Sequence, residues 1–103
     1  MAGETSQTVK LSRPVPLQDG SSITELVFRE PRVIDIAKAG NPVKVDVSYD
    51  PPKIEFDDAK MLAMAALLSG QAATIIGAVR AEDWTSISWT IAGFFFGSTA
   101  AST

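Results

Sequence analysis

Neither cysteine nor histidine occurs among the 103 residues. The first absence removes disulfide staples and thiolate nucleophiles, the second removes the usual general base, and together they remove every zinc site built on sulfur or imidazole. Ser and Thr are plentiful but have no histidine to activate them, and neither Ser-x-x-Lys nor Gly-x-Ser-x-Gly occurs. Gly70 and Gly77 belong to neither a Gly-x-Gly-x-x-Gly turn nor a P-loop, so phosphate-cradling patterns are missing too. Basic charge is in short supply: 9 Lys and Arg against 12 Asp and Glu give a net charge of −3, the wrong sign for a protein that neutralises phosphates. The expectation is a chain that is no enzyme, with no catalytic residue, no cofactor, no metal and no nucleic-acid partner.

What is present is globular material. Hydrophobic residues make up 46% and charged residues 20%, with 7 Gly and 6 Pro, which fits a single small domain over 1–103 with flexible tails expected at 1–7 and 98–103. The charge is unevenly spread: 18 of the 21 charged residues lie in 1–60, and only Arg80, Glu82 and Asp83 follow. The start has no basic region followed by an apolar one, and Gly3 is misplaced for myristoylation, so the expected compartment is the one where the chain is made. Residues 84–103 carry no charge, which raises a membrane anchor. Eight Ser and Thr interrupt that stretch, however, and its dense apolar part at 91–96 is far below the roughly 20 residues a span needs. No membrane partner is expected.

Three acidic constellations resemble chemistry and are better read as structure. Asp46-x-Ser48-x-Asp50 with Asp57 imitates part of a calcium loop, but Pro51 stands where the sharp turn needs glycine and no bidentate Glu closes the set, so a solvated turn is the reading. Asp57-Asp58 and Glu82-Asp83 each precede an apolar helical run, where acids cap and complement the helix dipole.

Periodicity then supplies the elements. In residues 8–17, Val9, Leu11, Val15 and Leu17 share odd positions, while Pro14 and Pro16 mark an edge strand or an early end. Gln18-Asp19-Gly20-Ser21 is turn chemistry, and Ile23, Glu25 and Val27 alternate with Thr24, Leu26 and Phe28 in a second strand, so a hairpin is predicted. Glu30-Pro31-Arg32 opens a short helix with Val33, Ile36 and Ala37 at helical spacing and Lys38 and Gly40 at its end. In residues 43–49, Val43, Val45, Val47 and Tyr49 share one side, giving either a third strand or a long extended loop between breakers. An apolar helix through 61–68, a weaker one over 71–79 and a last one from Glu82-Asp83 to about Phe96 complete the chain.

At about 100° per residue, Trp84, Ile87, Ile91, Phe94 and Phe95 of the last helix fall on one face, and Trp89 and Phe96 lie roughly 130° away. A second aromatic face is more than a small core consumes. Methionines and aromatics give adaptable contact area, so the candidate partner-binding residues are Met61, Met64, Leu68, Trp89 and Phe96.

The order of features also resembles a known family. Val9-Lys10-Leu11-Ser12-Arg13-Pro14-Val15, then Thr24-Glu25-Leu26-Val27-Phe28-Arg29-Glu30-Pro31-Arg32-Val33-Ile34-Asp35, is similar to the opening of the small E-like phage tail assembly chaperones of contractile- and long-tailed phages. Leu68-Ser69-Gly70, Asp83-Trp84 and Ala92-Gly93-Phe94-Phe95 agree in layout, whereas 41–56 is longer or more strand-like than the family suggests. The resemblance implies a protein of the host cytoplasm, absent from the mature virion, that binds the tape measure protein and keeps it soluble until tail tube subunits polymerise. It further implies a frameshifted longer form of the chain and the tail tube protein as partners, and it leaves a homo-oligomer open. Two other functions stay open on the residues: a structural tail or capsid component retained in the particle, and a small peripheral membrane protein using 84–97.

The expected architecture is α+β: an N-terminal β-hairpin and short helix within 8–56, with 43–49 a strand or a loop, packed on three helices within 57–97. The resemblance also makes a prediction about the gene. Phe94-Phe95-Phe96-Gly97 is expected to be encoded by a T-rich slippery heptamer overlapping a downstream frame, which the nucleotide sequence checks directly.

Overall fold

A computed structural model of the chain describes residues 6–96. The fold is mixed α+β. Two strands, β1 (Ser6–Pro16) and β2 (Ser22–Arg29), form an antiparallel hairpin, and α1 (Val33–Ala39) follows. A second hairpin, β3 (Val43–Asp46) and β4 (Lys53–Phe56), leads into α2 (Asp58–Ser69), the single turn α3 (Ala73–Ile76) and α4 (Ala81–Phe96). The tails expected at 1–7 and 98–103 lie outside the described residues, except that Ser6 and Gln7 pair with Arg29 and Phe28 as the opening of β1.

The first hairpin turns as its residues dictate. Gly20 takes φ 93°, a value that strains any side chain, and Asp19 accepts from the Ser21 N–H and hydroxyl. Val9, Val15, Leu26 and Phe28 are buried. The pairing jumps from Lys10 with Glu25 to Val15 with Ile23, so residues 11–14 bulge out opposite Thr24 alone. Pro14 sits in that bulge, where its missing N–H costs no ladder bond. The bulge also turns the Ser12 N–H away from β2, and it donates to the Asp83 carboxylate on α4 at 3.1 and 3.0 Å, with the Ser12 hydroxyl adding a bond of 3.0 Å. Asp83, expected as a helix-start acid, is thus a clamp that reaches a strand 71 residues away.

The core lies between this hairpin and the helices. Val9, Leu26 and Phe28 meet Met61, Met64, Ala65 and Leu68 of α2 and Ile87, Ile91 and Ala92 of α4. Asp57 caps α2 by accepting from the Lys60 N–H at 3.1 Å, and Gly70 closes it at φ 74°. The middle helix is shorter than 71–79 suggested: β-branched Thr74, Ile75 and Ile76 followed by Gly77 sustain only one turn.

Helix α1 keeps only part of its expected face, since Ile36 packs against the core but Val33 and Ala37 do not. Arg32 is the N-cap, so Pro31 precedes the helix instead of opening it. The buried residue is Asp35, while Val33 is 81% exposed and Ala37 is exposed. Asp35 accepts from both Arg29 guanidinium nitrogens at 2.8 Å and from the Arg32 N–H at 2.8 Å, which fastens the end of β2 to the first turn of α1. The spacing from Arg29 to Asp35 is therefore architectural.

The Arg29 hydrogen bonds hold the Asp35 carboxyl well below its ordinary value of 3.8, against burial, which pushes it up, and with the Arg32 N–H adding to the depression. A carboxylate depressed in the folded state contributes stability above its unfolded value and loses it as pH falls through the folded one. Asp35→Asn should lower unfolding stability by about 1–3 kcal/mol at neutral pH. The difference from the parent should narrow below pH 3.8, as urea titrations across pH will read.

Candidate functional site

The β3–β4 hairpin is amphipathic by register. Val43 faces Phe56 and Val45 faces Ile54 on one side, and Lys44 faces Glu55 and Asp46 faces Lys53 on the other. Each opposed charged pair combines opposite signs, the favourable cross-strand arrangement, and Lys53 also reaches Glu55 along its own strand at 3.3 Å. The apolar side is largely uncovered: Val43 is buried and Phe56 half-buried, but Val45 and Ile54 are exposed. Val47 and Tyr49 in the connecting loop are exposed as well, with the Lys53 ammonium 5.4 Å from the Tyr49 ring centroid. That loop carries a cis peptide between Asp50 and Pro51.

The hairpin meets α4 through one aromatic contact. The Phe56 and Trp89 rings lie 4.9 Å apart at 71°, an edge-to-face geometry. Ile87, Ile91 and Ala92 of α4 are fully buried and Trp84, Phe94 and Phe95 half-buried, whereas Trp89 remains 55% and Phe96 43% exposed. Trp89 and Phe96 stand two turns apart on nearly the same line of the helix. Val45, Ile54, Phe56 and Trp89 thus form a connected apolar surface, and Phe96 extends its aromatic end along a helix with no charge after Asp83.

The five candidate partner-binding residues separate into two groups. Met61, Met64 and Leu68 are core residues, with 0%, 0% and 3% exposure, so in this conformation they offer no surface to a partner. The physical reason is that α2 is enclosed by β2, α1, α3 and α4 together, which uses its apolar side chains internally. Trp89 and Phe96 remain on the surface. Sequence periodicity missed Val45, Ile54 and Phe56 as their neighbours. The alternation at 43–49 was legible, but Ile54 and Phe56 lie in a run of only four residues behind Pro51-Pro52, too short to show a period.

Other features are weaker candidates. Val33 and Ile34 are exposed on α1 because Asp35 turns inward. A shallow cleft beside Leu62, Ile76, Val79 and Trp84 has Asp58 at its rim, where the carboxylate accepts from the Trp84 indole N–H at 3.3 Å. Among the described residues no three carboxylates converge as metal ligands, and no helix is long and apolar enough to cross a membrane. The arrangement offers contact chemistry: apolar area with charges confined to the opposite hairpin face.

Comparison with known proteins gives the class. A family model described as phage tail assembly chaperone proteins, E, or 41 or 14, matches residues 8–95. The chain belongs to that family of phage tail assembly chaperones. The match spans nearly all of the first hairpin, the whole of the second and nearly all of α4. No curated protein and no solved structure matches the chain.

Core and surface roles separate by measurement. Met64→Ala should lose about 2–5 kcal/mol of unfolding stability. Trp89→Ser, which forfeits chiefly the edge-to-face contact with Phe56, should lose about 1 kcal/mol. Equal losses in denaturant titrations would place Trp89 in the core.

Proposed function

We propose that the chain binds a tape measure protein, a long, apolar, helical client, and keeps it soluble until tail tube subunits polymerise around it. It works by contact and not by catalysis. The observation that supports this reading is the connected apolar surface of Val45, Ile54, Phe56 and Trp89, continued by Phe96, on a chain of net charge −3. Exposed apolar patches rimmed by polar residues mark interaction sites, and an amphipathic client helix laid on such a surface hides its own apolar stripe. The charged face formed by Lys44, Asp46, Lys53 and Glu55 stays toward water and keeps the complex dispersed.

The action belongs in the host cytoplasm before the tail is complete, and the protein leaves before the particle matures. The client is the tape measure protein; a frameshifted longer form of the chain would extend the same body.

Co-expression provides the test. The tape measure protein should shift from the insoluble to the soluble fraction and co-purify, and the Trp89→Ser/Phe96→Ser pair should reduce recovery several-fold while the fold persists by circular dichroism. An unchanged client, with no co-purification, would sink the reading. Stoichiometric copies of the chain in purified particles would replace it with a retained structural component.

A further inference from the structure

The two edges of the second hairpin are not equivalent. The Asp57 N–H donates to the Pro42 carbonyl at 2.9 Å, which fixes the parity of the ladder. With Val43 opposite Phe56 and Val45 opposite Ile54 as non-bonded pairs, Lys44–Glu55 and Asp46–Lys53 are the bonded ones, and the backbone polar groups of Ile54 and Phe56 point away from β3. The outer edge of β3 is blunted at both ends: Asn41 Oδ1 accepts from the Val43 N–H at 3.0 Å, and past the strand Asp46 Oδ1 turns the chain aside by accepting from the Ser48 N–H at 3.0 Å and its hydroxyl at 2.6 Å, which leaves the Val43 carbonyl and the Val45 polar groups facing outward. Along the outer edge of β4, no backbone group of another described element bonds to Ile54 or Phe56.

We propose that β4 pairs antiparallel with β4 of a second copy of this chain, about a two-fold axis at Ile54. Three registers keep the apolar side chains on one face, placing Ile54 opposite Pro52, Ile54 or Phe56 of the second copy. The first sets Lys53 against Lys53 and the third sets Glu55 against Glu55, and like charges directly opposite are destabilising. The middle register sets Lys53 against Glu55 twice, in the closer, non-bonded spacing of about 4.5 Å between Cα atoms. Its rows then run Asp46, Lys53, Glu55, Lys44 across four strands, alternating in sign throughout. The opposite face carries Val45, Ile54, Ile54, Val45 in one apolar row.

Backbone chemistry fits the same register. Ile54 exchanges both hydrogen bonds with its symmetry mate, and the Phe56 N–H meets the Pro52 carbonyl in each direction. Pro52 has no N–H, and this position asks it only for an acceptor. A lone two-stranded ribbon is marginal in water and an open edge recruits another strand, so the pairing completes an element the monomer leaves unfinished. The pairing involves this chain alone and does not depend on which client it binds.

Sedimentation or light scattering of the full chain at micromolar concentration should give twice the chain mass of 10.9 kDa. Ile54→Pro removes only an outward N–H, so the β3–β4 ladder should persist while the mass falls to 10.9 kDa. The chain has no cysteine, so Ile54→Cys introduces a single reporter about 5.5 Å between Cα atoms from its mate, within disulfide range. Mild oxidation should convert that variant to a covalent dimer and leave Val47→Cys, in the connecting loop, without a covalent cross-link. A parent protein of 10.9 kDa at every concentration would overturn the proposal. So would cross-linking of both cysteine variants alike, or an Ile54→Cys protein that cross-links only to a co-expressed client.

Discussion

A two-stranded β-ribbon does not support itself in water, and this chain contains two of them. The first ribbon resolves the difficulty internally: Val9, Leu26 and Phe28 turn toward α2 and α4, and those helices supply Met61, Met64, Ile87 and Ile91 in return. The second does so only at one end, where Val43 is buried and Phe56 rests against Trp89. Everything else on its apolar face remains on the surface. The uneven treatment of two similar elements is what separates the body of this protein from its working surface.

Two carboxylates hold the covered part together. Asp83 joins the start of α4 to the bulge in β1, and Asp35 joins the end of β2 to α1. Each is buried and each accepts several hydrogen bonds, so neither is left as an uncompensated charge. Both act at junctions between a strand and a helix, where apolar contacts alone would tolerate sliding. Apolar packing drives the collapse of these elements onto one another, and the directional bonds set their register.

Sequence periodicity carried the first hairpin, α2 and α4, because their apolar spacing is long enough to be unambiguous. It also separated Trp89 from the core stripe of α4, since a helix phase is a local property. It failed where the deciding interaction was not written in the apolar spacing. The inward turn of α1 follows from Asp35 finding Arg29, which keeps Ile36 against the core but leaves Val33 and Ala37 outside. Strand β4 is too short to announce itself, and its pairing with β3 crosses two prolines. Met61, Met64 and Leu68 carry the residue types of a binding surface, but a helix enclosed on several sides consumes them. The family match over residues 8–95 supports the class that the motif in 26–35 suggested, and the structure gives that motif a physical basis in the Arg29–Asp35 fork.

The Asn41 side chain on the Val43 N–H is a small feature with a topological effect. A ribbon that is open at both edges can add strands without limit, and with one apolar face it would grow into a fibre. Here the two edges differ: the Val43 N–H is taken by Asn41 on one side, while the Ile54 and Phe56 polar groups stay open on the other. The Asn41 amide therefore makes β3 a poorer template than β4, because a strand added on that side forgoes one of its ladder bonds.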